Sequence, residues 1–174
     1  PHPLLNYLYG SAAWDADITV VKKSAQLAIN SNLQGLGSNL PQPFAKPANE
    51  AMPLRIEKKN VADGQDVIIA QLGKLLSARL ARRDENGAMA IKRGAINFGG
   101  DGVASSQGRR SGTRRLQEQL LGPAEMPPRN RSGVWLAGRL PELSLQGWGD
   151  LFGAADSTNV SLPIAGANLA IGRV

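Results

Sequence analysis

The chain has no cysteine, and it has a single histidine among its 174 residues. The lack of cysteine excludes disulfides, thiol catalysis and cysteine-based zinc sites. His2 stands at the terminus, where we expect a solvated end residue, so a Ser-His-Asp triad has no base. We therefore expect a protein that is not an enzyme and that holds no metal and no cofactor.

Aromatic residues are also scarce, at 5% of the chain, and no run approaches the roughly 18 apolar residues of a transmembrane helix. No signal peptide is visible. The chain begins with Pro-His-Pro rather than Met and ends in an apolar, strand-like run over 169–174. We therefore expect a piece of a much longer protein, with any membrane anchor outside this segment.

Apolar residues make up 42% of the sequence, and its 20 glycines and 11 prolines favour many short strands and turns. The net charge of +6 is uneven, because residues 107–132 hold six arginines and two glutamates. We expect 101–132 to be a mobile Arg-rich insertion. Within it, residues 113–121 have the pattern of a short helix with Thr113 as its cap.

Alternation of apolar and polar residues predicts the strands. In 133–140, Val134, Leu136 and Leu140 share one side, and Pro141 ends the strand because it cannot donate to a sheet ladder. A short amphipathic turn with Trp148 follows, and Ser144 is its candidate cap. The same pattern predicts strands over 8–16, 18–21, 25–33, 54–58 and 162–173.

The longest regular run is 66–83. A helix is a rival there, because Leu75, Leu76 and Leu80 also fit a period of 3.6. We favour strand, since 84–87 (Asp-Glu-Asn-Gly) has the composition of a hairpin loop and 88–98 alternates after it. A switch of parity near Arg93 indicates a β-bulge in that return strand.

These patterns predict one mainly β domain over 1–174: a long antiparallel meander that forms a curved, groove-like sheet, with one or two short helices.

Several segments in order resemble the YhdP family of AsmA-like envelope proteins of Gram-negative bacteria. They are 8–14 (Leu-Tyr-Gly-Ser-Ala-Ala-Trp), the S-x-L-x-G-L-x-S-x-L-P-x-P-x-x-K stretch in 31–47, 53–56, 93–99 and the strand–Pro–Trp block 133–152. Each motif is moderately specific, and their order and spacing together cover about 8–152. The departure lies at 103–132, in the Arg-rich part.

The resemblance implies a large protein held in the inner membrane by one N-terminal helix and extended through the periplasm. It implies a β-sheet bent into a long groove with apolar walls, similar to eukaryotic bridge-like lipid transfer proteins. It further implies transport of phospholipids towards the outer membrane. The expected partners are phospholipid acyl chains, other envelope proteins and, through the anchor, the membrane.

A lipid conduit needs a sheet with one apolar face left open to the ligand, and alternation supplies candidates for that face. Their medium-sized aliphatic side chains suit acyl chains. The candidate lipid-binding residues are Leu27, Ile29, Leu33, Ile68, Leu72, Leu76, Leu80, Met89, Ile91, Val134, Leu136, Leu169 and Ile171. The sequence does not separate a groove wall from an ordinary closed core, so a non-catalytic structural or protein-interaction module is the alternative function.

Three roles are open for the Arg-rich segment. No aromatic residue lies within 107–132 to stack on bases, which argues against single-stranded nucleic acid. We favour a solvated loop there, and contact with anionic phospholipid comes second.

The three tryptophans also have two interpretations. Trp14, Trp135 and Trp148 could line a sugar site, but anchors at strand ends explain them more simply.

Overall fold

A computed structural model describes residues 3–21, 24–99, 132–154 and 163–173, and these residues are mainly strand. A 3-10 turn over Pro3–Tyr7 precedes ten strands and one α-helix. The strands are β1 (Leu8–Gly10), β2 (Trp14–Val21), β3 (Ser24–Ser31), β4 (Leu36–Ser38), β5 (Leu54–Ala62), β6 (Gln65–Leu72), β7 (Leu76–Glu85), β8 (Ala88–Phe98), β9 (Gly133–Leu140) and β10 (Ile164–Ile171). The helix α1 (Leu145–Ala154) lies between β9 and β10.

Eight strands form one open mixed sheet in the order β10-β9-β8-β7-β6-β5-β3-β2. The prediction of a mainly β domain built on one large sheet with a short helix is confirmed. Its antiparallel meander runs from β2 to β8, but β9 pairs with β8, and β10 with β9, in parallel. A parallel pair needs a long crossover connection, and residues 99–132 and 141–163 provide one before each of these strands.

The central strands follow the sequence pattern closely. Residues 66–83 form β6 and β7 rather than a helix, and Asn86-Gly87 closes the hairpin between β7 and β8. The register between β7 and β8 shifts between Ala81 and Arg82, because Arg93 pairs with Ala81 while Ile91 pairs with Arg82. Lys92 is therefore the extra residue of a bulge, as the switch of parity predicted.

Two predicted strands are shorter than expected. The strand over 8–16 is divided, because Gly10 has a φ of 85° and the strand stops there. Leu8–Gly10 pairs instead with β4 in a separate two-stranded sheet. The strand over 25–33 ends at Ser31, and Leu33 follows with a φ of 49°, outside the extended region.

Helix α1 begins where the sequence predicts. The Ser144 hydroxyl accepts from the Gly147 N–H at 3.3 Å, which caps the first turn. The Trp148 indole N–H donates to the Gln42 carbonyl at 2.9 Å, and its ring meets Phe44 edge-on with centroids 5.9 Å apart. Helix α1 is thus fixed to the loop around Gln42 and Phe44, which we call the Pro-rich loop. Both lie at the end of the sheet where β9 finishes with Leu140.

Few side chains are fully buried among the described residues. The buried apolar ones are Ala95, Val134, Leu140 and Leu151, which belong to β8, β9 and α1. The predicted Arg-rich insertion and its helix over 113–121 lie outside the described residues, except for Ser132 at the end of the insertion.

Candidate functional site: an apolar sheet face with a charged rim

The strand register places aliphatic side chains on one side of the eight-stranded sheet. Residues paired across neighbouring strands point to the same side, so the pairings define rows that cross the sheet. We call this side the apolar face. Its first row is Trp14, Ser31, Leu54, Leu72, Leu76, Phe98, Gly138 and Leu169.

The second and third rows continue the same face. The second row is Ala16, Ile29, Ile56, Ala70, Ala78, Ile96, Leu136 and Ala167. The third row is Ile18, Leu27, Lys58, Ile68, Leu80, Gly94, Val134 and Ile164. Only Ser31 and Lys58 interrupt the three rows with polar side chains, so an apolar ligand would meet a nearly continuous hydrocarbon surface.

Every candidate lipid-binding residue except Leu33 lies on this face. Met89 and Ile91 join it because the bulge at Lys92 reverses the parity of β8. Leu33 lies beyond the end of β3, where its carbonyl accepts from the Lys46 ammonium at 2.9 Å. Val134, on this face, is fully buried and is therefore a core residue in this structure.

The apolar face is only partly covered. From β3 to β7 its apolar side chains are half-buried, and none is fully buried within the described residues. On β2, the side chains of Trp14, Ile18 and Val20 are 65%, 71% and 69% exposed. On β10, Ile164 is 59% exposed. A closed sandwich core would have excluded water from these positions, so among the described residues no second layer covers the strands from β2 to β7 on this side, whereas Val134 and Leu140 on β9 are buried.

A small depression, which we call the lane, lies in the middle of the face between Ile56 of β5 and Ile96 of β8. Ala70 and Ala78 pair across β6 and β7 in the second row. Leu72 and Leu76 pair on one side of them, and Ile68 and Leu80 on the other. The small methyl groups between larger side chains leave a depression that is about one side chain wide.

The opposite face, which we call the polar face, holds most of the charged side chains of the sheet beside a few apolar ones such as Ile69 and Trp135, and it carries its own ion pairs. Glu57 lies between two cations of the same strand, with Lys59 Nζ at 2.5 Å and Arg55 Nη2 at 2.5 Å. Hydrogen bonding from Lys59, opposed by desolvation and aided by Arg55, lowers the pKa of Glu57. Asp15 and Asp17 also point to this side and are exposed.

A charged cluster lies at the rim of the apolar face, one row beyond the third. Asp66 pairs with Arg82 across β6 and β7, and the guanidinium donates from Nε at 2.8 Å and from Nη2 at 2.6 Å. Lys58 Nζ lies 3.6 Å from Asp66 Oδ2. The Asp66 side chain is 3% exposed, against 43% for Lys58. The hydrogen bond from Arg82 lowers the pKa of Asp66, although burial opposes it.

Lys46 organises the loop that follows β4. Its ammonium is buried and donates to the carbonyls of Leu33, Leu36 and Pro47 at 2.9, 2.7 and 3.1 Å. Three acceptors satisfy all three ammonium N–H groups, which makes a buried lysine tolerable. The sequence placed Lys46 in a motif but did not reveal this role, since carbonyl acceptors leave no side-chain signature.

A family model described as YhdP protein matches residues 1–174, the whole chain. The chain belongs to the YhdP family. The resemblance inferred from the motifs is thereby confirmed. No curated protein and no solved structure matched the chain.

Two of the YhdP motifs meet in space. A Cβ on Gly10 would clash with the Gly35 carbonyl, and Gly37 lies under the ring of Tyr9. The motifs in 8–14 and 31–47 thus form one packed unit, the small β1–β4 sheet held by Lys46. In this YhdP chain that unit lies beside β2 and β3, at the first-row end of the apolar face.

Other kinds of site find no support in the described part of this YhdP chain. It holds no group of three or more metal-ligating side chains and no helix that is both long and apolar enough to span a membrane. The three tryptophans do not form a sugar platform: Trp14 is exposed on β2, Trp135 packs over Gly166 on the polar face, and Trp148 lies on α1.

Sequence reasoning missed the polar members of the apolar face. Lys58, Asp66 and Arg82 stand at the same parity as the aliphatic residues of their strands. That signal was readable, because a charged residue at an apolar position of a strand is unusual. The pairing of Ala70 with Ala78 in the lane depended on the register between β6 and β7.

Proposed function

We propose that this segment carries the acyl chains of phospholipids along its apolar face, as part of a non-catalytic AsmA-like envelope protein that moves lipid between the inner and outer membranes. The observation that carries the proposal is an apolar face three rows deep and eight strands long, without a covering layer over β3 to β7 in the described residues. Family membership supports the envelope setting.

The dimensions and energies suit such a role. Seven inter-strand spacings of about 4.8 Å give the face a length of roughly 34 Å. Burial of each methylene contributes about 0.8 kcal/mol, so a fully buried chain of ~16 carbons gains on the order of 12 kcal/mol relative to water. An uncovered face buries only the side of the chain that contacts it and gives part of this energy, so a bound chain can return to a bilayer.

For location, we propose the periplasm, with attachment to the inner membrane through a helix outside this segment. The support is family membership alone. Protease treatment of spheroplasts, followed with an antibody to this segment, tests it: degradation in spheroplasts but not in intact cells is expected. A fragment that stays protected until the inner membrane is disrupted would contradict a periplasmic location.

Photo-crosslinking tests the lipid contact directly. We would place a benzophenone amino acid at Leu72 or Leu136 on the apolar face. The matched controls are their chain neighbours Gln71 and Ala137, which point to the polar face. Capture of phospholipid at Leu72 and Leu136 but not at the controls is expected. Equal capture on both faces, or none on either, would refute the proposal.

Obstruction of the lane gives a second test. Ala78→Trp fills the depression beside Ala70. Ser77→Trp is the control, because it adds the same ring at the neighbouring residue, whose side chain points to the polar face. We expect A78W to reduce lipid capture from Leu72 at least fivefold, and S77W to leave it unchanged. If A78W does not fold, Ala70→Leu supplies a smaller obstruction with the same expected direction.

The alternative is a structural or interaction module of the envelope. The exposed Ile18 and Val20 on the edge strand β2 favour it, because an open apolar edge can receive another strand. The two functions differ in the crosslinking experiment: a module that binds protein gives protein adducts at Ile18 and no lipid adducts at Leu72.

A further inference from the structure

Lys58 is the one charged side chain in the three rows of the apolar face. Its row neighbours Leu27 and Ile68 are aliphatic, and so is Ile56 two residues earlier in β5. Among the described residues, the carboxylate within 4 Å of its ammonium is that of Asp66, at 3.6 Å, which is beyond a good hydrogen bond. Lys58 therefore has donor capacity directed towards the rim of the face.

The nearby carboxylate is already neutralised. Arg82 binds both oxygens of Asp66 in a bidentate pair, so Asp66 and Arg82 together carry no net charge. Asp84, two residues beyond Arg82, is exposed and accepts from the Gly87 N–H in the hairpin, where water still reaches it. The part of the cluster that borders the hydrocarbon surface thus has one excess positive charge, on Lys58.

That excess charge matters once hydrocarbon covers the face. Lys58 is 43% exposed, so water solvates it. An acyl chain over Leu27 and Ile68 would remove much of that water. An ammonium whose nearby carboxylate is already bound by Arg82 is then costly in an apolar environment. A ligand that supplies both hydrocarbon and an anion removes the penalty, whereas a neutral lipid does not.

We infer that Lys58, supported by the Asp66–Arg82 pair, binds the phosphate of a phospholipid headgroup whose acyl chain occupies the apolar face. The inference rests on the proposed function. Asp66 and Arg82 are positioning residues, because their ion pair has no net charge and lies beside the Lys58 ammonium. The ligand class that this site would recognise is a phosphate joined to a diacyl tail.

Competition binding on the 174-residue chain tests this inference. A fluorescent fatty acid is displaced by phosphatidylglycerol, by phosphatidylethanolamine or by diacylglycerol with the same acyl chains. We expect both phospholipids to bind at least tenfold more tightly than diacylglycerol. Lys58→Met should bring them to the diacylglycerol level and leave diacylglycerol unchanged, while Lys58→Arg should retain the preference.

Lys59→Met is the matched control, since Lys59 is the next residue on β5 and pairs with Glu57 on the polar face. It should keep the preference for phospholipid. A K58M protein that still prefers phospholipid, or a wild-type protein that binds all three lipids equally, overturns the inference and leaves the proposed function standing. If no lipid displaces the probe and Leu72 captures none, the proposed function itself fails and the inference with it.

A final competition experiment distinguishes the phosphate of a lipid headgroup from that of a small soluble molecule. Glycerol 3-phosphate without acyl chains should not displace the probe at millimolar concentration, because the hydrocarbon supplies most of the binding energy. Displacement of phosphatidylglycerol by glycerol 3-phosphate at concentrations equal to those of the lipid would assign the site to small soluble phosphates and overturn the headgroup assignment.

Discussion

Asp66 and Arg82 lie opposite each other on β6 and β7, and the guanidinium donates to both carboxylate oxygens at 2.6 and 2.8 Å. The pair sits at the rim of an aliphatic face, where an unpaired charge would destabilise the fold. Because the Asp66 side chain is buried, it depends on the Arg82 guanidinium, which is 23% exposed, to remain charged there.

This pair predicts a pH dependence of stability. Arg82 lowers the pKa of Asp66 in the folded protein, so the stabilisation is complete above the unfolded value of about 3.9 and is lost as the pH falls through the folded pKa. Asp66→Asn should lower the free energy of unfolding at pH 7 by about 3 kcal/mol, the lower end for breaking a buried pair.

Urea unfolding between pH 7 and pH 2 measures both effects. The variant should lose less stability below pH 4 than the wild type, with a remaining slope from Glu57, whose pKa is lowered in the same direction. Asp63→Asn, in the exposed turn before β6, should change the stability at pH 7 by less than about 0.5 kcal/mol. Parallel pH profiles for D66N and wild type would contradict the assignment.

Removal of the buried ammonium of Lys46 should open the loop after β4. Lys46→Met leaves the carbonyls of Leu33, Leu36 and Pro47 without their donor. We expect a loss of about 3 kcal/mol, because each unsatisfied buried acceptor costs roughly 1–3 kcal/mol and part of the loop can rehydrate. Chemical denaturation measures the loss, and hydrogen exchange should increase at the Ser38 and Lys46 amides, which bond to each other's carbonyls.

Lys74→Met is the control for that change, since Lys74 is exposed in the turn between β6 and β7. It should stay within about 0.5 kcal/mol of the wild type. Equal effects of the two substitutions would show that the three carbonyl contacts do not stabilise the loop.

Two glycines of α1 should respond differently to alanine. A Cβ on Gly149 meets nothing within 4 Å, so Gly149→Ala should stabilise the protein by about 0.5–1 kcal/mol through helix propensity. A Cβ on Gly147 lies 3.0 Å from Pro41 Cβ and 3.0 Å from Ser144 Oγ. That crowding should cancel the gain, so thermal unfolding should separate the two variants by several degrees. A G147A protein as stable as G149A would be inconsistent with close packing of the helix on the Pro-rich loop.

Truncations on the apolar face should differ in how much they lower the free energy of unfolding. Val134 is fully buried, whereas its partner across the β9–β10 pair, Ile164, is 59% exposed. Val134→Ala should cost about 2 kcal/mol through lost burial and a cavity, and Ile164→Ala less than about 0.5 kcal/mol. Urea midpoints test the contrast. A large loss for I164A would mean that further chain covers this edge.

Much of the sheet was predictable, because alternation is a local property of a strand. The parity of Leu27, Ile68 and Leu80 sets their common side, and the Asn86-Gly87 turn sets the register of the hairpin. Even the bulge at Lys92 appeared as a switch of parity. Twelve of the thirteen candidate residues therefore share one side of the sheet, which is a statement about position and not about lipid binding. Leu54, Ile56, Ile96 and Phe98 lie on the same side but were not among the candidates. Leu33 lies off it because a φ of 49° takes its backbone out of the extended region.

The polar features of the site were not predictable in the same way. Lys46 binds carbonyl oxygens of residues up to 13 positions away, and any residue type can supply a carbonyl. The partnership of Lys58, Asp66 and Arg82 needs the register of three strands at once. A pattern along one strand contains no information about which residue lies across from it.

The sequence by itself determined which segments are extended and which side of each strand is aliphatic, because side-chain alternation depends only on neighbouring residues. Tertiary structure alone decided that β9 and β10 join in parallel, that Ala70 and Ala78 align into a lane, and that a charged cluster borders the aliphatic surface. Those features depend on long-range pairing, in which crossover connections and competing partners select one arrangement from several that local preference permits.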